Sequence, residues 1–455
     1  MRARPAAGLQ AAAPAALTVR CFDTLESAAH LREEIDALNR QSVRPDPFST
    51  FSFYETYLQH DESRPPGQAV KLWFLAAFRD GRLIGHLALQ HESRKVLGLR
   101  TSTLGFLVTH DNDRPHVVAT SADLTAVTVA FYAHLLARRQ EWSHLAFSQQ
   151  DGSSTLLPAP SAVDLSGYLV RQWPTLENCT ITVRWASLRG YVEALQRKFR
   201  SNLGRQMRGL RAAGQLELLS SADPANTPAL FELFMGIERH SWKSQTQADT
   251  ARHPQRVAYF RRLLDAGQPM QVSVHILLLD GVPIAGLVTG AFMRSLYALN
   301  IVYDDRLSRW APGSAMLLLG MRQAIEGRFE FFNLMSGFGY YKLRWLADVT
   351  ETCIAQIYRV GSLPYWRRLA GDWARRLASV RPVGAGVVRF NLVRRALARP
   401  DVRPDDPPAG AGLPAPLQMS EAERERIAAL VARVRAGQGE FLSGAALAAV
   451  MPFER

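Results

Sequence analysis

A strand-turn-strand pattern that occurs twice constrains the fold of this chain more than any other feature. Around Asp80-Gly81 the sequence reads AAFRDGRLIGHLALQH, and around Asp280-Gly281 it reads LLLDGVPIAGLVTGAF. Asp-Gly readily takes the positive φ angles of a tight hairpin turn, and the apolar runs beside it are typical of strands. Helices are predicted before each hairpin and strands after it. The sequence therefore predicts a tandem duplication of one α/β unit.

The second copy contains a stretch, residues 299–345, that favours a ligand site. An apolar run predicts a strand that ends at Asp304, and a helix is predicted to follow after a short turn. Pro312 suits the first turn of that helix, and small residues there let the backbone approach a ligand. Unpaired backbone N–H groups at such a helix start can bind a phosphate or pyrophosphate, although the same residues also suit an ordinary turn and cap. The residues predicted to bind the phosphate or pyrophosphate of a cofactor are Arg309, Pro312, Gly313, Ser314 and Ala315.

Composition shifts divide the chain into five predicted segments. The predicted fold class is α/β, with two tandem units in which mixed central sheets are flanked by helices. Hydrophobic residues make up 47% of the chain and charged residues 21%, which is typical of a globular protein. The predicted segments are a disordered leader (1–16), an N-terminal unit (17–165), a C-terminal unit (177–360), an arginine-rich helical segment (361–399), and a linker with a terminal helix (400–455).

The formal net charge of +13 favours anionic partners, such as CoA, an acidic carrier protein, RNA or a lipid surface. A solvated surface with high arginine usage is the alternative. Tyr365, Trp366, Leu369, Trp373 and Leu377 recur at helical spacing among arginines. Residues 363–399 are therefore predicted either to pack on their own domain or to make a peripheral membrane contact.

Cysteine usage points to a reducing compartment. The three cysteines, Cys21, Cys179 and Cys353, are far apart, so neither a disulfide framework nor a zinc site is expected. No apolar run reaches the length of a membrane span. We therefore expect a cytoplasmic protein, and the alternative is a protein that contacts the inner membrane peripherally. His110, Asp111 and Asp113 are interpreted as a polar loop rather than a metal site, and no metal is predicted.

The order of motifs in the second unit resembles a known family. RKFRSNLGRQMRGLRAAG, IERHSWK, YFRRLL, LLLDGVPIAG, YDDRLSRWAPGSAMLL and GFGYYKLRW follow one another. This order is similar to the GNAT-like acetyltransferases of the cellulose-biosynthesis CelD/BcsL type, which are related to the Fem-type aminoacyltransferases with two tandem GNAT domains. The family's pyrophosphate loop has Arg or Gln where this chain has Trp310, whereas Gly313 and Ala315 match its end.

The resemblance implies an N-acyltransferase with no permanently bound cofactor and with acetyl-CoA or another acyl-CoA as cosubstrate. The implied partners are a small-molecule amine acceptor, from envelope or exopolysaccharide synthesis or a small metabolite, and an acyl carrier protein as a further donor. Nucleic acid enters only through a tRNA-dependent, Fem-like alternative. A non-catalytic GNAT-like binding protein is the other alternative.

Acyl transfer to an amine needs a base, a stabilised oxyanion and a protonated leaving group. The resemblance implies Lys342 as the first catalytic candidate, against a surface lysine that ends a strand. Tyr341 can protonate the leaving group, while Glu238 or His240 can act as base, unless both belong to a solvated helix end. Asp304 is predicted either to bind the amine or to cap a turn. Backbone N–H groups at a bulge near residues 301–303 would serve the oxyanion. Arg200, Arg205, Trp242 and Tyr303 are the substrate-binding candidates.

Overall fold

The computed structural model describes residues 17–60, 71–96, 99–108, 112–175, 178–245, 249–337, 340–380, 420–436 and 439–449. The predicted disordered leader, the arginines from Arg381 onward and most of the predicted linker lie outside these residues. His110 and Asp111 of the predicted polar loop also lie outside them.

The first sheet is built mostly from the N-terminal part of the chain. Its order is β1-β2-β3-β4-β6-β15-β7, with β5 paired to β3, and only β4 and β6 run parallel. These strands are β1 (Thr18–Phe22), β2 (Lys71–Arg79), β3 (Arg82–Val96), β4 (Leu99–Phe106), β5 (Val118–Ala119), β6 (His144–Gln150), β7 (Tyr168–Pro174) and β15 (Cys353–Arg359).

The second sheet has the same plan. Its order is β14-β8-β13-β12-β11-β10-β9-β16, and only β12 and β13 run parallel. The strands are β8 (Asn178–Thr182), β9 (Leu216–Ser221), β10 (Gln271–Leu279), β11 (Val282–Phe292), β12 (Ser295–Tyr303), β13 (Phe331–Ser336), β14 (Asp348–Thr350) and β16 (Gly439–Ser443). Two mixed sheets flanked by helices confirm the predicted fold class.

The two Asp-Gly hairpins adopt the same backbone conformation. Asp80 and Gly81 have φ angles of 51° and 78°, and Asp280 and Gly281 have φ angles of 48° and 76°. Positive φ at both central residues is the condition for a type I′ turn, which matches the natural twist of paired strands. Both hairpins also shift register next to the turn, at Ala77/Phe78 and at Leu277/Leu278. The repeat read from the sequence is thus present in the backbone.

The two sheets exchange a strand, and this exchange corrects the predicted domain boundary. β15 lies between β6 and β7 in the first sheet, although its residues fall within the predicted second unit of 177–360. β8 occupies the matching position of the second sheet, between β13 and β14. The prediction failed here because both strands pair with partners that are distant in sequence, which a local pattern does not reveal.

Helices cover the faces of both sheets. Those of the first domain are α1 (Arg32–Gln41), α2 (Phe51–His60), α3 (Leu124–Ala137) and α11 (Leu363–Val380). Those of the second are α4 (Leu188–Ala194), α5 (Arg197–Ala212), α6 (Thr227–Glu238), α7 (Trp242–Gln245), α8 (Pro254–Leu263), α9 (Pro312–Glu326), α10 (Tyr340–Leu343), α12 (Glu421–Ala436) and α13 (Gly444–Ala449). None of the helices in the described ranges combines the length and apolar character that a membrane span requires.

Three buried clusters form the core. One lies outside the first sheet under α3, and another lies under α5 and α9 on the second sheet. The third is shared, since Phe53 and Tyr57 of α2 pack with Phe231 of α6 and Tyr259 of α8 between the sheets. Phe53 and Tyr259 meet edge to face with ring centroids 6.1 Å apart. The inner face of the second sheet therefore looks toward the first domain.

Two local features depend on contacts outside their own segment. The basic segment over residues 191–213 is not one continuous helix, because Leu195 and Gln196 have extended ψ angles of 150° and 132°, so α4 and α5 are separate helices. The terminal helix is not isolated, because β16 pairs with β9 at the edge of the second sheet and Val434 of α12 is fully buried. The edge strand β9 offers unpaired backbone groups, and β16 satisfies them.

Candidate functional site

A gap opens in the second sheet where its two parallel strands separate. β12 and β13 pair from Ser295–Phe331 to Tyr297–Asn333, and both strands then continue without pairing to each other. β12 also carries a bulge, because Val288 pairs with Asn300 while Thr289 pairs with Ala298. The extra residue is Leu299, so the bulge predicted near residues 301–303 lies closer to the start of the gap. A bulge frees backbone groups from the ladder and redirects the strand.

Helix α9 begins beside this gap. Its N-cap residue, Ala311, is left-handed (φ 48°, ψ 54°) and supplies no side-chain cap, and Pro312 occupies the first turn. A left-handed alanine is strained, and here it lets the helix start directly after a 3-10 turn over Asp305–Trp310. Gly313 lies against Tyr303, since a Cβ atom there would be 2.8 Å from the ring. The helix start therefore faces the end of β12 with its backbone N–H groups uncapped by side chains.

Trp310 occupies the position at which the pyrophosphate loop of the resembling family has Arg or Gln. Trp310 is 7% exposed and fits against Gly209 of α5, where a Cβ atom would be 2.9 Å from the indole. The Arg309 guanidinium stacks 3.9 Å above the Trp310 ring, and among the described residues its buried Nε has no hydrogen-bond partner. Trp310 is thus a packing residue, and Arg309 is the cation nearest to the helix start along the chain.

Lys342 fastens the end of β13. It lies on the helical turn α10, not on a strand, and it is 6% exposed. Its Nζ donates to the carbonyl oxygens of Leu334 (2.8 Å), Met335 (3.1 Å) and Ser336 (3.4 Å). Burial lowers the pKa of Lys342, against opposing contributions from Cys179 and Asp113. The lysine holds the separated strand end in place and brings positive charge to the gap.

Tyr341 and Tyr303 belong to the same neighbourhood. Tyr341 is half exposed, yet desolvation raises the pKa of its hydroxyl, with Cys179 and Tyr303 adding to the effect. Cys179 is fully buried on β8, the neighbour of β13. A raised pKa keeps the Tyr341 hydroxyl protonated at neutral pH, so it can act as a proton donor.

Glu238 is committed to a buried ion pair. It is fully buried, and its carboxylate accepts from Lys243 Nζ (3.1 Å) and from the backbone N–H of Thr250 (2.8 Å). Lys243 also donates to Oδ1 of Asn300, the residue that follows the bulge. Nδ2 of Asn300 is buried and has no hydrogen-bond partner in the described residues. Sequence reasoning singled out neither Lys243 for this pair nor Asn300, although a strand asparagine with an unpaired amide is a typical ligand contact.

The other predicted site residues, His240, Asp304 and Trp242, have different environments. The His240 side chain is exposed, and its carbonyl oxygen accepts from the backbone N–H of Asp305 at 3.1 Å. Asp304 is 2% exposed and accepts from Arg306, through the backbone N–H at 3.0 Å and through Nε at 2.8 Å. Asp304 therefore caps the turn, as one of its two predicted readings required. Trp242 is 43% exposed.

The two predicted arginines of α5 differ in their exposure. Arg200 is half-buried and donates to the carbonyl oxygen of Glu193. Arg205 is exposed. The structure thus groups Tyr303, Gly313, Tyr341 and Lys342 at the gap.

A cavity of about 680 Å³ lies between the two domains on the inner face of the second sheet. Its lining includes Arg40, Arg44, Asp46 and Arg114 from the first domain and Thr180, Arg294, Tyr297, Asn333 and Asp348 from the second. Asp113 bridges the domains beside it, because its two oxygens accept from Asn178 Nδ2 (2.7 Å) and Asn333 Nδ2 (2.6 Å). Asn333 is the last paired residue before the gap, so the cavity reaches the point where the strands separate.

Asp46 has an unsatisfied oxygen atom at this cavity. It is 5% exposed, and its Oδ1 has no hydrogen-bond partner within the described part of the chain, while Oδ2 accepts from Ser49 Oγ at 3.2 Å and lies 3.4 Å from Nδ1 of His116. Burial raises the pKa of Asp46 to about 7, against the opposing charge of Arg44. Sequence reasoning missed this residue, because an aspartate before Pro47 is more typical of a turn.

Comparison with known families identifies the domain that holds the gap. Residues 197–343 match the family model of the acetyltransferase (GNAT) domain. The matched segment runs from α5 to α10 and contains the gap, the start of α9 and Lys342. The second domain is therefore similar to the GNAT domain over these residues, and because the first domain repeats its strand order, the chain has two tandem GNAT-like units.

Solved structures with similar folds share little sequence with this chain. FemX covers 74% of this chain and 97% of its own length at 12% identity, with a TM-score of 0.49. The C-terminal domain of a putative lysylphosphatidylglycerol synthetase from Agrobacterium fabrum covers 75% and 95% at 13% identity, with a TM-score of 0.45. A tandem GNAT protein from the clavulanic acid biosynthesis pathway covers 76% and 99% at 12% identity, with a TM-score of 0.41. The comparison with curated proteins found no significant match.

Proposed function

We propose that this protein is an N-acyltransferase that moves an acyl group from a thioester donor, an acyl-CoA or an acyl carrier protein, to an amine. The observation that carries the proposal is the gap between β12 and β13, with the uncapped start of α9 beside it. An uncapped helix start favours the diphosphate of a CoA-type donor. Gly313 lets the Tyr303 ring pack against the helix start, and Arg309 supplies a cation nearby.

The reaction forms a C–N bond, breaks the C–S bond and transfers one proton from the amine to the leaving thiolate. Tyr341, protonated at neutral pH, is suited to protonate the thiolate. The free amide N–H of Asn300 and the backbone at the Leu299 bulge are the donors available to the acyl oxygen. Lys342 acts by fixing the end of β13 and by adding positive charge near the developing oxyanion.

Donor and acceptor approach from opposite faces of the sheet in this proposal. Gly313 and Tyr303 lie on the α9 face, whereas Tyr297 and the cavity lie on the face toward the first domain. The first domain would then shape the acceptor site, and the unpartnered oxygen of Asp46 suits an amine or another hydrogen-bond donor. An amine of an envelope or exopolysaccharide precursor, or of a small metabolite, fits this description.

A charge placed at the helix start tests the donor site. Ser314→Glu puts a carboxylate in the first turn of α9, where it stabilises the helix but repels a diphosphate. Like charges about 5 Å apart cost about 1–3 kcal/mol at effective dielectric constants of 80 to 20, so acetyl-CoA binding should weaken at least tenfold in calorimetry. Thr125→Glu, at the exposed start of the matching helix α3, should leave binding unchanged.

The outcomes separate the proposed functions. If both substitutions weaken acetyl-CoA binding equally, the donor site is not at the start of α9 in the second domain. Failure of the unaltered protein to bind acetyl-CoA, longer acyl-CoA or acyl carrier protein would contradict the thioester donor. Transfer that requires aminoacyl-tRNA and is abolished by RNase would establish the Fem-like alternative instead.

A further inference from the structure

Helix α11 is anchored to the first domain through one face. Asp372 accepts from Arg171 of β7 at 3.4 Å and pairs with Arg368 one turn earlier at 2.8 Å. The Arg368 guanidinium also stacks 4.2 Å above the ring of Trp173. The contacts use the only acidic side chain of the helix and the charge of one of its arginines. They fix the orientation of α11 on the protein surface.

The opposite face of α11 presents two tryptophans to solvent. Trp366 is 58% exposed and Trp373 is 64% exposed, and they are the most exposed of the large hydrophobic side chains described. Seven residues separate them, which is two helical turns, so they share one face. Arg367 is exposed beside Trp366. Large exposed aromatic residues on one helix face mark an interaction surface rather than ordinary surface composition.

The charge of this segment identifies the chemistry of its partner. Residues 363–399 contain nine arginines, no lysine and one acidic residue, so they carry a net charge of +8 out of the +13 of the whole chain. Because Asp372 is already paired toward the domain, the charge available to a partner is positive. Residues 381–399 contain five of these arginines and no acidic residue.

We propose that α11 docks this protein on an anionic lipid bilayer, lying flat with Trp366 and Trp373 in the headgroup region. Tryptophan is enriched at the membrane interface, where its ring is buried in part and its N–H stays hydrated. Arginines near an anionic leaflet add electrostatic attraction to this contact. A basic helix with one aromatic face and low net hydrophobicity is the form that lies on a membrane without crossing it. The proposal does not depend on the acyl-transfer activity.

Vesicle co-sedimentation of the full chain tests the proposal. Vesicles of phosphatidylcholine and phosphatidylglycerol (3:1) should bind the protein, and pure phosphatidylcholine vesicles should bind it at least tenfold more weakly. Trp366→Ser with Trp373→Ser should weaken binding to the anionic vesicles at least tenfold. Trp242→Ser is the matched control, because Trp242 is also an exposed tryptophan, at 43%, away from α11. Arg367→Gln tests the contribution of charge on α11 to vesicle binding. Its control is Arg424→Gln on the exposed face of α12, which should weaken binding less.

Several results would overturn the proposal. They are an unaltered protein that does not sediment with anionic vesicles, equal binding to neutral vesicles, and equal losses in the double variant and the Trp242 control. Since both tryptophans are exposed, the double variant should keep its melting temperature within about 2 °C. Melting curves of all variants therefore separate loss of lipid binding from loss of folding.

Discussion

The two domains share a strand order but end their central parallel strands differently. In the second domain, residues 304–311 connect β12 to α9 directly, and the helix starts at the gap. In the first domain, the longer connection from β4 to α3 turns toward the other domain, where Asp113 binds Asn178 and Asn333. The same scaffold thus leaves a helix start without a side-chain cap beside the gap in one copy and builds an interface in the other.

The strand ends beside the parallel pair show the same division. Gln150, at the end of β6, donates its neutral amide to the carbonyl oxygens of Pro115 (2.9 Å) and Ser148 (2.7 Å). At the end of β13, Lys342 donates hydrogen bonds from a buried ammonium group to the carbonyl oxygens of Leu334 and Met335. A buried cation costs desolvation energy that a neutral amide does not. The second domain thus places a buried positive charge where the first domain places a neutral amide.

The largest expected effect concerns Asp46, whose buried carboxyl faces the cavity. Its pKa is about 7 in the folded protein, and it has an unperturbed value of 3.8 in the unfolded chain. The folded state therefore holds the proton more tightly, and stability falls as pH rises from about 4 to about 7. Asp46→Asn removes this loss, so the variant should gain up to about 4 kcal/mol over the unaltered protein at pH 8 and little at pH 4. Urea unfolding at both pH values measures the difference.

Asp151 is the matched control, because its environment has the opposite effect. Burial alone would raise its pKa, but Arg44, Ser153 and Arg114 outweigh burial and lower it. Asp151→Asn should therefore destabilise the protein at pH 8, and the loss should shrink as pH falls below about 4. A destabilised Asp46→Asn variant at pH 8 would show that the cavity carboxylate is satisfied by a group other than those described.

An intermediate effect is expected where the two strand ends are compared directly. Lys342→Met leaves three carbonyl oxygens without their charged donor and should lower the free energy of unfolding by about 3 kcal/mol. Gln150→Leu removes three neutral hydrogen bonds, since Oε1 also accepts from Ser154 Oγ, and it should cost about 2 kcal/mol. Acetyl transfer should fall sharply only in the Lys342 variant. Equal activity losses at matched stability would erase the functional distinction between the domains.

The smallest effect concerns the repeated hairpins. Gly81→Ala and Gly281→Ala each force a Cβ atom into the left-handed region, at φ angles of 78° and 76°, with open space around the added atom. Each should cost about 1 kcal/mol, because the strain is local and no neighbour is displaced. Thermal unfolding of the two variants should give equal shifts. A clear inequality would mean that the hairpins are equivalent in conformation but not in their contribution to folding.

The sequence predicted those features that depend on neighbouring residues. Asp-Gly pairs identify the two hairpins, and Pro312 with Gly313 identifies the helix start, because turn chemistry is local. Features that depend on pairing across the molecule were not predicted. The placement of Cys353–Arg359 in the first sheet, the burial of Asp46 and the unpaired amide of Asn300 are examples. The catalytic roles of Lys342 and Tyr341 stay predictions, since the structure gives their positions and not their chemistry.

The exchanged strand has a consequence for how the chain folds during synthesis. The ribosome delivers residues 17–174 early, yet the slot between β6 and β7 stays empty until Cys353–Arg359 emerges. Until then two strand edges of the first sheet lack their partner, and exposed edges invite aggregation. We expect a fragment cut between residues 183 and 352 to fold poorly from either side, because each piece would lack a strand of its own sheet. We therefore expect the first sheet to be completed late in translation, and both domains to become stable at the same time.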